Sequence, residues 1–183
     1  MILSCFVNRS VFHVEHSKFS RIYRMKNKND FGDNVISFLA DILSCCSFND
    51  IDKMILQSDP LPFTSSRIIC SIAKGWYMSN KNVEVIFISS FLTYLDIVSK
   101  YKSTGIMMIS KDGKDFFTCE YNNGILGKII VQNHEVGKAI DVNDIASADV
   151  NLAKKQREVL GLGIACKNPH HISSILSNRN MKY

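Results

Sequence analysis

The run at residues 83–88, Val-Glu-Val-Ile-Phe-Ile, constrains this chain more than any other segment. Its β-branched residues favour a strand, and apolar side chains on both faces of a period-two element need cover on both sides. Such a strand belongs inside a sheet with other elements packed on its two faces, so an α/β fold is expected. The 183 residues, 46% apolar and 21% charged, supply a core for such a fold and exclude a disordered or low-complexity chain.

Around that strand the pattern alternates. Residues 2–7, 10–15 and 19–25 read as strands separated by polar turns at Asn8-Arg9 and His16-Ser17, the signature of an antiparallel meander. From Gly32 to Cys46 the apolar spacing lengthens from two to 3.6, which predicts a helix starting near Asp33. A brief strand at 53–57 precedes Asp59-Pro60-Leu61-Pro62, whose prolines forbid regular structure. A second helix, capped by Thr64 or Ser65, runs to about Met78, and Ser89 or Ser90 caps a third that reaches Tyr101. Residues 105–109, 116–121 and 126–132 then repeat the meander, with turns at Lys111-Asp112-Gly113 and Asn122-Asn123-Gly124. Short helices are expected at 141–146, 152–160 and 170–178. The chain thus divides into two unequal halves, 1–102 and 103–183.

The net charge of +5 permits an anionic partner without demanding one. Its densest cluster is Lys18, Arg21, Arg24, Lys26 and Lys28, interleaved with Phe19 and Tyr23 and with no acid from 17 to 29. This basic strand at 18–28 reads as an edge charged against self-pairing or as a surface for RNA. The six cysteines show no Cys-x-x-Cys spacing and sit mostly in apolar runs, as free thiols do in a reducing cytoplasm. Cys45-Cys46 is expected in the core, where burial raises a thiol pKa. His170-His171 and His13-x-x-His16 lack the companion ligands of a metal site and read as surface histidines. Gly161-Leu162-Gly163 has no third glycine and no preceding strand, so it reads as a turn rather than a phosphate loop. No apolar stretch approaches the ~20 residues that span a bilayer, and Met1 to Val7 lacks a basic leader region, so neither a membrane helix nor export is expected.

The first two helices are apolar over more than one stripe. In helix one, Val35, Ile36, Phe38, Leu39, Ala40, Ile42, Leu43, Cys45 and Cys46 cover roughly 220° at ~100° per residue. In helix two, Ile68, Ile69, Cys70, Ile72, Ala73, Trp76 and Tyr77 cover roughly 200°, whereas packing on a sheet uses a stripe nearer ~100°. The surplus is covered by neighbouring elements of this chain or by another chain. Ile36, Phe38, Leu39, Leu43, Ile68, Ile72, Trp76 and Tyr77 are the candidate partner-facing residues.

Within residues 59–76, the segment Asp59-Pro60-Leu61-Pro62-Phe63-Thr64-Ser65-Ser66-Arg67-Ile68 with Ile72-Ala73-Lys74-Gly75-Trp76 resembles the TsaB (YeaZ) family. That family carries Gly-Pro-Gly-Ser-Phe-Thr-Gly, a small residue, Arg-Ile-Gly and then Ile-Ala-Lys-Gly-Leu. Pro60, Phe63, Thr64, Arg67, Lys74 and Gly75 are among the matches. Val35 to Leu43 resembles the family's first helix, Val85-Ile86-Phe87-Ile88-Ser89-Ser90 its strand ending in Val-Ser-Ser/Thr-Leu, and Asp115 to Tyr121 its Glu-Val-Tyr-x-x-x-Tyr. The likeness covers roughly residues 1 to 121.

It implies an actin/Hsp70-like ATPase superfamily fold of two ribonuclease-H-like halves, the second reduced. It also implies a non-catalytic partner of the TsaD ATPase in threonylcarbamoyladenosine modification of tRNA, with a TsaE-like ATPase as a further partner and tRNA engaged only indirectly. Isolated members are homodimers, and their first-half helices form the dimer or TsaD interface. The departures point the same way. Cys5-Phe6-Val7 stands where the family has Asp-Thr-Ser, Asp59, Leu61 and Ser65 replace glycines, and Ser110-Lys111-Asp112 replaces Asp-Ala-Arg. Phe6 cannot do a carboxylate's work, and the side chains of Asp59, Leu61 and Ser65 take the room for close phosphate approach. The expectation is therefore a cytoplasmic scaffold with no catalytic, cofactor or metal residue. A small RNA-binding module and an active nucleotide phosphotransferase of the same fold are the alternatives.

Overall fold

The computed structural model describes residues 1–6, 11–16, 19–24, 31–57, 63–110, 114–142, 154, 158 and 164–165. β1 (Ile2–Phe6), β2 (Val11–His16) and β3 (Phe19–Arg24) precede α1 (Phe31–Cys45), β4 (Lys53–Gln57), α2 (Phe63–Ser79), β5 (Glu84–Ile88) and α3 (Ser90–Ser99). Then come β6 (Thr104–Ser110), β7 (Phe116–Asn122), β8 (Ile125–Gln132), β9 (Ile140–Asp141) and β10 (Ile164–Ala165).

The large sheet has the order β10-β5-β4-β1-β2-β3. β1, β4 and β5 run parallel, while β2 and β3 follow β1 as an antiparallel meander. The strand at 83–88 holds the inner place required of it, with β4 on one side and β10 on the other. Its side chains split by parity. Val85 and Phe87 join Leu3, Val14, Met54 and Leu56 in a core closed by Val35 and Ile42 of α1 and Ile69, Ala73 and Trp76 of α2. Ile86 and Ile88 face the opposite way, into a core shared with Phe91, Leu95 and Val98 of α3 and with Met107, Ile109, Cys119, Tyr121 and Leu126 of the second sheet. Both faces are dry because helices cover one and α3 with a second sheet covers the other.

The second sheet, β8-β7-β6-β9, is a smaller edition of the first. β6, β7 and β8 form an antiparallel meander and β9 lies parallel to β6, as β4 lies parallel to β1. The two-residue turn Asn123-Gly124, with φ of 49° and 78°, has the left-handed conformation that asparagine and glycine tolerate. A bulge between Cys119 and Tyr121 shifts the β7–β8 register. At Gly105 an added Cβ would meet the Tyr121 hydroxyl at 2.8 Å, so the ring occupies the space that a side chain there would need.

Several boundaries differ from expectation. α1 begins at Phe31 rather than near Asp33 and α2 at Phe63 rather than after a Thr64 or Ser65 cap, because helix ends depend on backbone geometry that periodicity does not encode. α3 stops at Ser99, with Tyr101 in the following turn. Asp141 ends a strand instead of opening a helix, and β10 carried no sequence signal. Lys154 and Glu158 are helical, while the helix expected at 170–178 lies outside the described residues.

Candidate functional site: the α1–α2 face and the strand ends beneath it

The eight candidate interface residues separate by depth. Trp76 and Ile72 are core residues of the single chain, 2% and 8% exposed, and lie against the sheet. Phe38, Leu39, Leu43 and Ile68 are half-buried and pack against that core from the helix margins. Tyr77 is half-buried as well, and Ile36 is 71% exposed. Sequence reasoning missed Met78, which is 74% exposed at the end of α2. One stripe of each helix is used within the chain, and an apolar margin of each remains accessible.

The motif residues cluster around the start of α2. Pro60 lies outside the described residues, as do Asp59 and Leu61. Phe63 opens α2, Thr64 and Arg67 are exposed in its first turns, and Lys74 and Gly75 follow two turns later, half-buried and exposed respectively. The Gly75 carbonyl accepts a hydrogen bond from the Ser79 hydroxyl at 2.9 Å. Charges gather at the other end of the parallel strands. There the Met1 ammonium meets Asp52 at 2.5 Å, and Lys53 pairs with Glu84 at 2.8 Å. The C-terminal ends instead carry Phe6, Gln57, Ser89 and Ser90, and no carboxylate among the described residues. Gln57, Ser89, Ser90 and Thr93 are all buried. Thr93 donates through both its amide and its hydroxyl to the Ser89 carbonyl, each at 3.2 Å. Amides and hydroxyls of this kind can donate hydrogen bonds to a ligand and accept them from it.

β3, the last strand of the large sheet among the described residues, holds Arg21 and Arg24 exposed, whereas Lys18, Lys26 and Lys28 lie outside the described residues. The Tyr23 ring meets Phe38 edge-on, centroids 6.3 Å apart, and so ties this edge to α1. Cys45 is exposed and not in the core, because it ends α1 on the side facing β3. Arg21 Nη1 donates to its Sγ at 2.9 Å, with the Ser44 hydroxyl at 3.6 Å and the Tyr23 hydroxyl at 3.9 Å. Hydrogen bonds from Ser44 and Tyr23, aided by the Arg21 charge, hold the Cys45 thiol below the usual range, while burial pushes Cys46 up.

His13 is also not at the surface. It is 1% exposed in β2, with Nε2 2.8 Å from the Ser20 hydroxyl. His170, His171, Gly161 and Gly163 lie outside the described residues. Among the described residues no group of three or more His, Cys, Asp and Glu side chains forms a metal cradle, and no helix is long and apolar enough to cross a membrane.

No family model and no curated protein matches this chain. Solved structures do. YeaZ from Pseudomonas aeruginosa superposes with a TM-score of 0.63 at 11% identity, over 93% of this chain and 96% of that one. A second Pseudomonas aeruginosa structure, of a protein described as similar to the peptidase YeaZ, gives 0.55 at 13% identity over 79% and 72%. Over 93% of its length the chain has the fold of YeaZ from Pseudomonas aeruginosa, in agreement with the resemblance carried by its sequence segments.

Proposed function

We propose that this chain is a divergent TsaB-like scaffold that binds and stabilises a TsaD-like ATPase in threonylcarbamoyladenosine modification of tRNA, without chemistry of its own. The observation that carries the reading is the accessible apolar surface of α1 and α2 on a YeaZ-like fold: Ile36 and Met78 are 71% and 74% exposed, and Phe38, Leu39, Ile68 and Tyr77 of the same two helices are half-buried. Two such helices can meet two from a partner in a four-helix arrangement, which is how an unpartnered double-helix face is closed. The same face serves a homodimer when the partner is absent, a TsaE-like ATPase joins through the complex, and tRNA is met indirectly. The finer fold assignment, two ribonuclease-H-like halves of the actin/Hsp70-like superfamily with the second reduced, is supported by the repeated strand order of the two sheets. The reading assigns no catalytic role to this chain.

The test is reconstitution with the TsaD-like protein of the same cell. Parent protein is expected to co-elute with it and Ile36→Asp is not; co-elution of both, or of neither, overturns the assignment of this face. RNA contact through Arg21 and Arg24 is the second reading, favoured by their exposure on an edge strand. Direct tRNA affinity that weakens steeply with salt would support it over the scaffold.

A further inference from the structure

The second sheet ends on β8, eight residues long, which among the described residues pairs only with β7. This edge is unusually inviting. Ile130 and Val131 are 49% and 54% exposed, and Lys128 is the strand's sole charge. The comparable edge of the large sheet, β3, exposes Arg21 and Arg24, which oppose pairing with a like strand.

The direction of the unpaired backbone follows from the turn. A two-residue hairpin makes Asn122 and Ile125 a hydrogen-bonded pair, so the backbone of Leu126 points away from β7. The bulge opposite Glu120 absorbs one residue, and the alternation resumes with Ile129 and Val131 pointing outward. Leu126 lies before the bulge, so the regular part of the free edge is centred on Ile130.

We propose that β8 pairs antiparallel with β8 of a second copy about a two-fold axis at Ile130, fusing two four-stranded sheets into one. In this register Ile129 and Val131 of each copy exchange their outward amides and carbonyls with Val131 and Ile129 of the other. Ile130 meets its own counterpart at a non-hydrogen-bonded position, where side chains approach most closely. Lys128 faces the second copy's Gln132, so no like charges oppose each other. A two-fold contact closes on itself and leaves no further edge of this kind to recruit a third copy. The contact is small, so its dissociation constant is expected at about 10–100 μM. The α1–α2 face lies on the far side of the large sheet from the second sheet, and so stays open.

The experiment is sedimentation velocity at rising concentration, in an Ile36→Asp background that removes the helical face, with circular dichroism as the fold control. Ile130→Lys and Ile130→Glu should each weaken dimerisation at least about tenfold, and an equimolar mixture of the two should restore it, because the pair then carries opposite charges across the axis. Val131→Pro removes an outward amide that β7 does not use, so it should abolish the dimer in a folded chain. A monomer up to about 1 mM, a dimer that survives Val131→Pro, open-ended polymers, or failure of the mixed variants to recover would each overturn the proposal.

Discussion

Replacing Ile36 by Asp separates a partner-facing helix margin from a core residue. Ile36 is 71% exposed, so the folded chain uses less than a third of its apolar surface. Full burial of an isoleucine is worth about 1.5–3 kcal/mol, so losing that fraction costs roughly 0.5–0.9 kcal/mol. The poorer helix propensity of aspartate adds only about 0.3 kcal/mol in the interior of α1. A total near 1 kcal/mol lowers the melting temperature of a chain this size by about 2–4 °C. Association is affected far more. A partner that covers Ile36 would bury an unpaired carboxylate, a penalty of about 3–5 kcal/mol, or more than a hundredfold in affinity. Differential scanning calorimetry measures the first quantity, and isothermal titration against the TsaD-like protein the second. A melting temperature lowered by more than about 10 °C would mean that Ile36 is core, and an affinity within threefold of the parent would mean that no partner covers it.

Three further outcomes follow from the packing and electrostatics. Trp76→Ala, at a site 2% exposed between α2 and the large sheet, should cost about 3–5 kcal/mol in urea denaturation, and parent-like stability would contradict its place in the core. Among the described residues the Tyr121 hydroxyl is buried without a hydrogen-bond partner, and it lies 2.8 Å from where a Gly105 side chain would begin. Tyr121→Phe should therefore leave stability unchanged or raise it by up to about 1 kcal/mol, and Gly105→Ala should be better tolerated in that background than in the parent; simple additivity in a double-mutant cycle would refute the contact. With its pKa lowered, Cys45 holds more thiolate at a given pH than Cys46, whose pKa is raised. Iodoacetamide should modify Cys45 first, with a rate midpoint at lower pH, and Arg21→Ala should move that midpoint up; faster labelling of Cys46, read by peptide mass spectrometry, would contradict the geometry.

The order of strands and helices through β8 is legible in the residues, since their hydrophobic periods are local and each is long enough to be read. The inner position of β5 is legible in the same way, because Val85, Ile86, Phe87 and Ile88 leave no polar face for water. The resemblance at Phe63, Thr64, Arg67, Lys74 and Gly75 pointed to the fold that the whole-chain superposition then displayed. Long-range packing sorts the apolar helix residues into core and margin. Trp76 and Ile36 are equally apolar in a helical projection, and what distinguishes them is the sheet beneath one and the solvent above the other. Cys45 emerged at the surface beside Arg21 for the same reason: twenty-four residues separate them along the chain, and their contact depends on how β3 lies beside α1. β9 and β10, two residues each, are strands only because β6 and β5 offer free edges to pair with. Local spacing fixes what an element is, and long-range pairing fixes which of its faces meets water.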